Sequence, residues 1–471
     1  MAGRVVSGPS FRDLPPVHRI VDNPELGGCL ATLGRQAALR GVRQALAEAR
    51  GRLAAGIEAA IDPSSLARRA AAILRAERPS LRPVLNATGI LLHTGLGRAP
   101  LAAEAVEAVA RVASGYCNLE FDLDGGGRGR RAEGVADLLR ELTGAEAATV
   151  VNNNAGATVL ALRALAAGRE VVVSRGQLVE IGGSFRLPEV FEVSGARLRE
   201  VGTTNKTRLS DYENAIGPET AALLRVHASN YQIVGFTEAV PLAELTALAH
   251  ARGLWAIDDI GSGALVTGIP PGVAGEPTVA EGLAAGADLV LFSGDKLLGG
   301  PQCGLLLGSR LAIARVEADP LMRALRVDKM TLAALEATLQ LALDADRAGG
   351  HIPLWRSLNT PMTQLMARAE AIAATFRDEL GLDASAVEDR AFLGGGSLPV
   401  EPIPTAVVRV EPPFPAPHES EAAWASALRR GDPPVVPRVQ RGAVLFDLRA
   451  LADSDDLILL GAVRRLVHAD E

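Results

Sequence analysis

The chain has 471 residues, of which 48% are hydrophobic and 22% charged, and its formal net charge is −7. This length predicts two or three domains with a substantial core, and no uncharged apolar run is long enough to predict a transmembrane helix. The N-terminus lacks the apolar centre of a signal peptide, so we expect a cytoplasmic protein. Three cysteines, far apart and without Cys/His spacing, indicate neither disulfides nor a zinc site.

The first 80 residues are basic, although the whole chain is acidic. They contain 12 arginines, no lysine and 7 acidic residues. Apolar residues recur near helical spacing, and Asp62-Pro63 marks a helix start, so we predict a small domain of short amphipathic helices over residues 1–82. A basic module on an acidic body is typical of a protein that meets nucleic acid. Charge alone favours the alternative, an arginine-rich solvated helix face.

Two glycine-rich segments follow. Residues 85–100 combine glycines and polar groups with an apolar centre, which favours a loop that crosses a binding site. Within it Arg98 is either placed to present its guanidinium to an anion or is an ordinary surface charge. Residues 122–131 are rich in glycine and arginine and are predicted to be a flexible loop that contacts phosphates or another subunit.

Residues 147–295 alternate between strand and helix patterns, with helices predicted at 155–166 and 242–251. The predicted buried strands are Ala148–Val151, Val171–Val173, Leu223–Val226, Trp255–Ile257 and Leu289–Phe292. Such alternation predicts an α/β domain with a mostly parallel sheet, whose ligands collect at the carboxyl ends of the strands. We assign this large domain to residues 83–345.

Three unusual features lie at such strand ends. Residues 152–157 join asparagines and small residues at a helix start, where free backbone N–H groups bind phosphate. The adjacent carboxylates of Asp258 and Asp259 need a cation, such as a protonated pyridine nitrogen. Lys296 is one of only three lysines, and an amine, unlike a guanidinium, can form a Schiff base. Each feature also occurs without a ligand, but together they favour a pyridoxal phosphate site.

Several long motifs match one known family. Among them are LNATGILLHTGLGRAPL (85–101), VVNNNAGATVLAL (150–162), FSGDKLLGGPQCG (292–304) and RALRVDKMTLAALEATL (323–339). Through these motifs the chain resembles the bacterial selenocysteine synthases, the L-seryl-tRNA(Sec) selenium transferases, over essentially its whole length.

The resemblance implies an α/β, fold-type-I pyridoxal phosphate transferase and assigns roles to ten residues. Lys296 would carry the cofactor and act as base beside the acidic Asp295, and Asp259 would pair with the pyridine nitrogen, although the doublet leaves Asp258 open. The cofactor phosphate would be held by Asn153, Asn154, Ala155 and Ser293. The selenophosphate donor would be bound by Arg98, Arg323 and Arg326. No metal is implied.

The implied activity is conversion of seryl-tRNA(Sec) to selenocysteyl-tRNA(Sec) through a cofactor-bound aminoacrylyl intermediate. The resemblance also implies tRNA binding by the N-terminal domain and a homo-oligomer, a ring of dimers. Residues 346–471 are predicted to form a smaller α/β domain, with a helix at 360–380 and strands at 406–410 and 444–448.

Two alternatives remain. One is a related pyridoxal phosphate lyase or ammonia-lyase that acts on a small phosphorylated amino acid, and the basic N-terminal module argues against it. The other is a tRNA-binding protein without catalysis, and Lys296 argues against that.

Overall fold

The computed structural model describes residues 11–57, 59–76, 80–181, 185–266, 275–397 and 401–468. The chain divides into two compact units, Met1–Pro83 and Val84–Glu471. Separate domains at 83–345 and 346–471 remain a prediction. Within the described residues, no helix has the length and apolar character needed to cross a membrane.

The described residues of the N-terminal unit form three α-helices, α1 (Val17–Val21), α2 (Gly27–Ala54) and α3 (Pro63–Ala76). We expected only short helices here, but α2 has 28 residues, with a kink at Gly34 (φ 80°). No proline interrupts this alanine-, leucine- and arginine-rich run, so strong helix formers continue it. Gly41 permits close packing of α2 on α3, because a β-carbon there would lie 2.7 Å from Leu74 Cγ.

The second unit begins with the elements that alternate along the chain. In order they are β1 (Leu85–Ala87), α4 (Ala103–Ala113), α5 (Glu133–Thr143), β2 (Ala147–Val151), α6 (Asn154–Ala166), β3 (Glu170–Ser174), β4 (Glu180–Ile181), β5 (Phe185–Arg186), α7 (Leu187–Ser194), β6 (Arg197–Val201), α8 (Leu209–Ala215), β7 (Thr220–Val226), α9 (Leu242–Ala251), β8 (Trp255–Gly261), α10 (Val279–Ala284), β9 (Leu289–Ser293) and β10 (Gly304–Gly308).

Helices dominate the rest of this unit until a second group of strands. The elements are α11 (Arg310–Ala318), α12 (Leu321–Leu325), α13 (Lys329–Ala342), α14 (Ala345–His351), α15 (Pro353–Asn359), α16 (Met362–Asp378), β11 (Asp383–Ala391), β12 (Ile403–Glu411), α17 (Glu421–Arg430), β13 (Val435–Gln440), β14 (Ala443–Asp447) and α18 (Asp455–Val467).

The large sheet has seven strands in the order β2-β10-β9-β8-β7-β3-β6. Its strands are parallel except β10, which pairs antiparallel with β2 and β9. All five predicted strands are confirmed. They are largely apolar because both faces are covered: Val290 and Phe292 of β9 pack into one core cluster, Leu289 and Leu291 into another. The parallel strands therefore end at one edge of the sheet.

Two strands of this sheet were not predicted. The edge strand β6 has mostly exposed or half-buried residues, so it lacks a buried strand's apolar run. The other, β10, is a short apolar segment bounded by glycines, which sequence periodicity does not separate from a buried helix or turn.

The smaller sheet has the order β1-β13-β14-β12-β11. The predicted helix at 360–380 and strands at 406–410 and 444–448 are confirmed as α16, β12 and β14. The loop predicted over residues 85–100 is wrong at its start, because β1 pairs parallel with β13. Segment 85–98 therefore runs from the smaller sheet toward the edge of the large one.

Candidate active site

A cavity of about 430 Å³ lies at the carboxyl ends of the central strands of the large sheet. Eight of the ten predicted site residues line it: Arg98, Asn153, Asn154, Ala155, Asp259, Ser293, Asp295 and Lys296. They come from four separate stretches of the chain, and the parallel sheet brings them together at the edge where its strands end.

Lys296 is buried in the turn that follows β9, with 4% of its surface exposed. The turn is fixed on both sides, since the backbone N–H of Leu297 donates to Ser262 O at 3.0 Å and Trp355 Nε1 donates to Leu297 O at 2.8 Å. Burial, assisted by the positive charge of Arg98, lowers the pKa of Lys296 against the opposing effect of nearby carboxylates. The amine therefore loses its proton more readily than an ordinary lysine, as a nucleophile requires.

Asp258 and Asp259 point to opposite faces of β8, as neighbouring residues of a strand do. Asp259 lines the cavity, where it accepts hydrogen bonds from Asn154 Nδ2 and Thr158 Oγ1, both at 2.9 Å. Asp258 forms a bidentate ion pair with Arg225, with both N–O distances 2.6 Å. Of the two carboxylates that the sequence left open, Asp259 therefore faces Lys296.

The two carboxyl groups differ in the interactions that offset the effect of burial on their pKa. Burial raises the pKa of both. At Asp259 the hydrogen bonds from Asn154 and Thr158, then the charge of Lys296, act in the other direction. A further cation beside Asp259 would favour its ionised form.

Helix α6 directs its N-terminus into the cavity. Asn153 Oδ1 caps the helix by accepting from Gly156 N at 2.7 Å, and Asn154 uses its amide group on Asp259. Asn153 Oδ1 and Asn154 Nδ2 are thus committed within the protein. The backbone N–H groups of Asn154 and Ala155 and the Ser293 hydroxyl remain as donors for an anion.

Arg98 and Asp295 form an ion pair in the cavity wall. Arg98 Nη1 donates to Asp295 Oδ2 at 2.7 Å, and 23% and 9% of the two side chains are exposed. Arg98 has φ 62° directly after Gly97 at φ 96°, so a left-handed turn directs it inward. Arg98 Nε and Asp295 Oδ1 are buried without a hydrogen-bond partner, which leaves a donor and an acceptor for a ligand.

Arg323 and Arg326 lie elsewhere. They line a second cavity of about 850 Å³ beside β2, where Arg326 Nη1 lies 3.4 Å from Glu120 Oε1. The same carboxylate pairs with Arg131 at 2.8 Å and Arg128 at 3.1 Å. Within one chain, the three arginines predicted to bind selenophosphate therefore do not line the same cavity.

Sequence reasoning gave no role to several residues of the cavity. His227 and Ser229 directly follow β7 and line the cavity, and their position at a strand end is a signal that could have identified them. Thr158 lies one helical turn after Asn154, a spacing that puts both on one face. Gly395 lines the cavity from a distant part of the chain, and nothing local in the sequence indicates that contact.

The fold defines the class of protein. The structure of a D-glucosaminate-6-phosphate ammonia-lyase superposes with a TM-score of 0.58 at 22% identity, covering 83% of this chain and 96% of that one. The architecture is that of the fold-type-I pyridoxal phosphate enzymes.

Within this class the chain belongs to the L-seryl-tRNA selenium transferase family. It matches that family over residues 84–452, and the N-terminal region of selenocysteine synthase over residues 11–50. It is 48% identical to the L-seryl-tRNA(Sec) selenium transferase of Solidesulfovibrio magneticus over 96% of this chain and 97% of that protein. The enzyme of the same name from Moorella thermoacetica is 47% identical over 98% of both chains.

The residues of the smaller cavity fit pyridoxal phosphate. Its volume of about 430 Å³ lies within the usual range for small-molecule sites, roughly 300–1,000 Å³. It holds a lysine with a lowered pKa, a buried carboxylate for a ring nitrogen and a helix N-terminus for a phosphate. Asn154 Oδ1 and Asp295 Oδ1 are also buried there without partners, as expected of groups that meet a polar ligand.

Proposed function

We propose that this chain converts seryl-tRNA(Sec) to selenocysteyl-tRNA(Sec), with pyridoxal phosphate as cofactor and selenophosphate as selenium donor. One observation carries the proposal: the buried amine of Lys296, with a lowered pKa, lies in the same cavity as the buried carboxylate of Asp259. The names of the relatives, which match over nearly the whole chain, support the substrate.

Each group of the cofactor has a partner in the cavity. Lys296 would bind it covalently, Asp259 would pair with its ring nitrogen, and Ser293 with the first turn of α6 would hold its phosphate. When bound, the cofactor supplies an electron sink for the charge left at the substrate Cα. The hydrogen bonds from Asn154 and Thr158 hold Asp259 in position for this contact.

The Lys296 amine has a second task once the seryl amine has displaced it. It is then free to take the proton from the substrate Cα, as a general base. Its lowered pKa suits this task, because an amine that is unprotonated nearer to neutral pH can accept a proton there.

The selenium donor would bind to Arg98, Arg323 and Arg326. Since one chain holds Arg98 in one cavity and the other two in another, the trio requires a second copy of the chain. This requirement favours a homo-oligomer, with dimers arranged in a ring, in which the donor site lies between chains. Several guanidinium groups suit a phosphate dianion.

The N-terminal unit is the proposed tRNA-binding part. Its excess of arginine over acidic residues suits contacts with phosphates that weaken as salt rises. An aminoacylated tRNA as substrate favours the cytoplasm as the compartment of the reaction.

The test is incubation of the cofactor-loaded protein with seryl-tRNA(Sec) and selenophosphate, with seryl-tRNA(Ser) and Lys296→Ala as controls. We expect selenocysteyl-tRNA only from the wild-type chain and the first tRNA. Equal conversion of both tRNAs would contradict tRNA selectivity, and ammonia release from a small phosphorylated amino acid alone would favour the lyase alternative.

A further inference from the structure

Three polar side chains, those of Ser262, Glu276 and His227, form a series from the interior to the wall of the smaller cavity. Ser262 Oγ donates to Glu276 Oε2 at 2.6 Å, and His227 Nε2 lies 3.3 Å from the same oxygen. Ser262 and Glu276 are buried, whereas 27% of the His227 side chain is exposed. His227 lines the cavity, so this series of side chains ends on an imidazole that a ligand can reach.

Backbone hydrogen bonds hold these three side chains beside the reacting groups. His227 N donates to Asp259 O at 2.9 Å, and Ser262 O accepts from the backbone N–H of Leu297, the residue after Lys296. His227 therefore sits one strand away from Asp259, and the carboxylate behind it is tied to the turn that carries the lysine.

The contact also determines which ring nitrogen faces a ligand. Nε2 lies 3.3 Å from Glu276 Oε2, and among the residues that the structure describes Nδ1 has no hydrogen-bond partner. A carboxylate behind a histidine orients the ring. His227 is thus arranged to give a proton from Nδ1 to a group in the cavity.

A surface pair in the same protein shows the contrast. His250 Nε2 lies 3.2 Å from Asp288 Oδ2, nearly the same distance, but 49% of the histidine and 19% of the carboxylate side chain are exposed. In the cavity pair only 1% of the Glu276 side chain is exposed. A buried carboxylate holds its partner with less solvent screening.

We infer that His227 is the acid that protonates the departing β-hydroxyl of the seryl group, with Glu276 and Ser262 as positioning residues. The inference rests on the proposed function. The Cα–H electron pair forms the Cα–Cβ double bond while Lys296 takes the proton. The Cβ–O pair leaves with the oxygen, which takes a proton from His227 Nδ1 and departs as water, leaving a neutral imidazole beside Glu276.

The discriminating experiment changes the leaving group. His227→Gln is compared with wild type on seryl-tRNA(Sec) and on the same tRNA charged with β-chloroalanine, whose chloride leaves without a proton. We expect the rate with serine to fall about 10²-fold or more and the rate with β-chloroalanine to fall less than about threefold. His250→Gln is the matched control and should leave both rates unchanged.

The other outcomes have distinct meanings. An equal loss with both substrates overturns the inference, since it indicates a structural role, and no loss with either indicates that Lys296 returns the proton itself. If wild type converts neither substrate, the proposed function fails and this assignment with it. Wild-type absorbance of the bound cofactor in His227→Gln shows that the site is still folded.

A second measurement needs no turnover. In the cofactor-free protein, diethyl pyrocarbonate modification of His227 is followed by peptide mass spectrometry, with the exposed His18 as internal reference. Glu276→Gln should change the rate of modification of His227 by about threefold or more, because the ring loses the carboxylate that orients it. An unchanged rate overturns the positioning role of Glu276.

Discussion

Gly396 lies directly against the side chain of Lys296. A β-carbon at Gly396 would lie 2.5 Å from Lys296 Nζ and 2.9 Å from Cε, and the backbone φ of 100° is one that other residues rarely adopt. The neighbouring Gly395 lines the cavity but has nothing within 4 Å of a β-carbon. The segment thus closes against the lysine at one position where only glycine fits.

We expect Gly396→Ala to weaken cofactor binding by about tenfold or more, since backbone strain alone costs about 1–3 kcal/mol. The added methyl group also displaces the amine that the cofactor must reach. The measurement is a titration of the cofactor-free protein with pyridoxal phosphate, followed by absorbance. Gly395→Ala is the matched control and should bind as wild type does; equal weakening by both would show that the contact with Lys296 is not the cause.

The Arg98–Asp295 pair should couple energetically. In a double-mutant cycle with Arg98→Gln and Asp295→Asn, we expect a coupling free energy of about 1–3 kcal/mol in urea unfolding, because the pair is largely buried. The exposed pair Arg111–Glu107, 3.9 Å apart, should give less than about 0.5 kcal/mol. Similar values for both pairs would count against a tight contact in the cavity.

Substitutions of the adjacent carboxylates Asp258 and Asp259 should have separable effects on stability and on cofactor binding. Asp258→Asn leaves Arg225 without its counter-charge, so we expect the free energy of unfolding to fall by about 3 kcal/mol while the cofactor still binds. Asp259→Asn removes a charge whose burial is costly, as its raised pKa indicates, so stability should change little. Cofactor affinity should instead fall about tenfold or more.

Urea unfolding of the cofactor-free protein and cofactor titration together test this pair of variants. The reverse pattern, with Asp258→Asn losing the cofactor and Asp259→Asn losing stability, would overturn the assignment of the two faces of β8.

The reactivity of Lys296 should depend on pH in a way that Arg98 controls. Burial and Arg98 lower the pKa of Lys296 from the ordinary value of 10.5. The pH at which acetic anhydride labels Lys296 at half its maximal rate, the midpoint, should therefore lie below that of a lysine peptide in the same reaction. Removing a neighbouring positive charge makes protonation easier. Arg98→Gln should therefore move the midpoint to higher pH.

Mass spectrometry of the labelled peptides in the cofactor-free protein measures this midpoint. Arg111→Gln, which removes an exposed arginine on α4, should leave it unchanged. A shift to lower pH in Arg98→Gln would contradict the electrostatic role of that residue.

Much of the fold was predictable because the central strands are buried on both faces. Such strands appear as apolar runs, and all five predicted runs are strands of the large sheet. The edge strand β6 and the short β1 were missed, since an exposed edge lacks that pattern and β1 is fixed by pairing with β13, some 350 residues later.

The site was predictable to the extent that strand ends identify it. Lys296 and Asp259 follow or end predicted strands, and the structure brings both into one cavity. The separation of Arg323 and Arg326 from Arg98 was not predictable, because the spacing of Arg323, on α12, and Arg326, directly after it, does not reveal which cavity the two residues line.

The sequence by itself determined the strand-helix alternation, the family and the residue types of the cofactor site, because local periodicity and motifs carry that information. The tertiary structure alone decided that Asp259 rather than Asp258 faces Lys296, that Gly396 packs on the lysine and that Glu276 holds His227. These are contacts between segments distant in the chain, and they depend on which face of a strand or loop meets which neighbour.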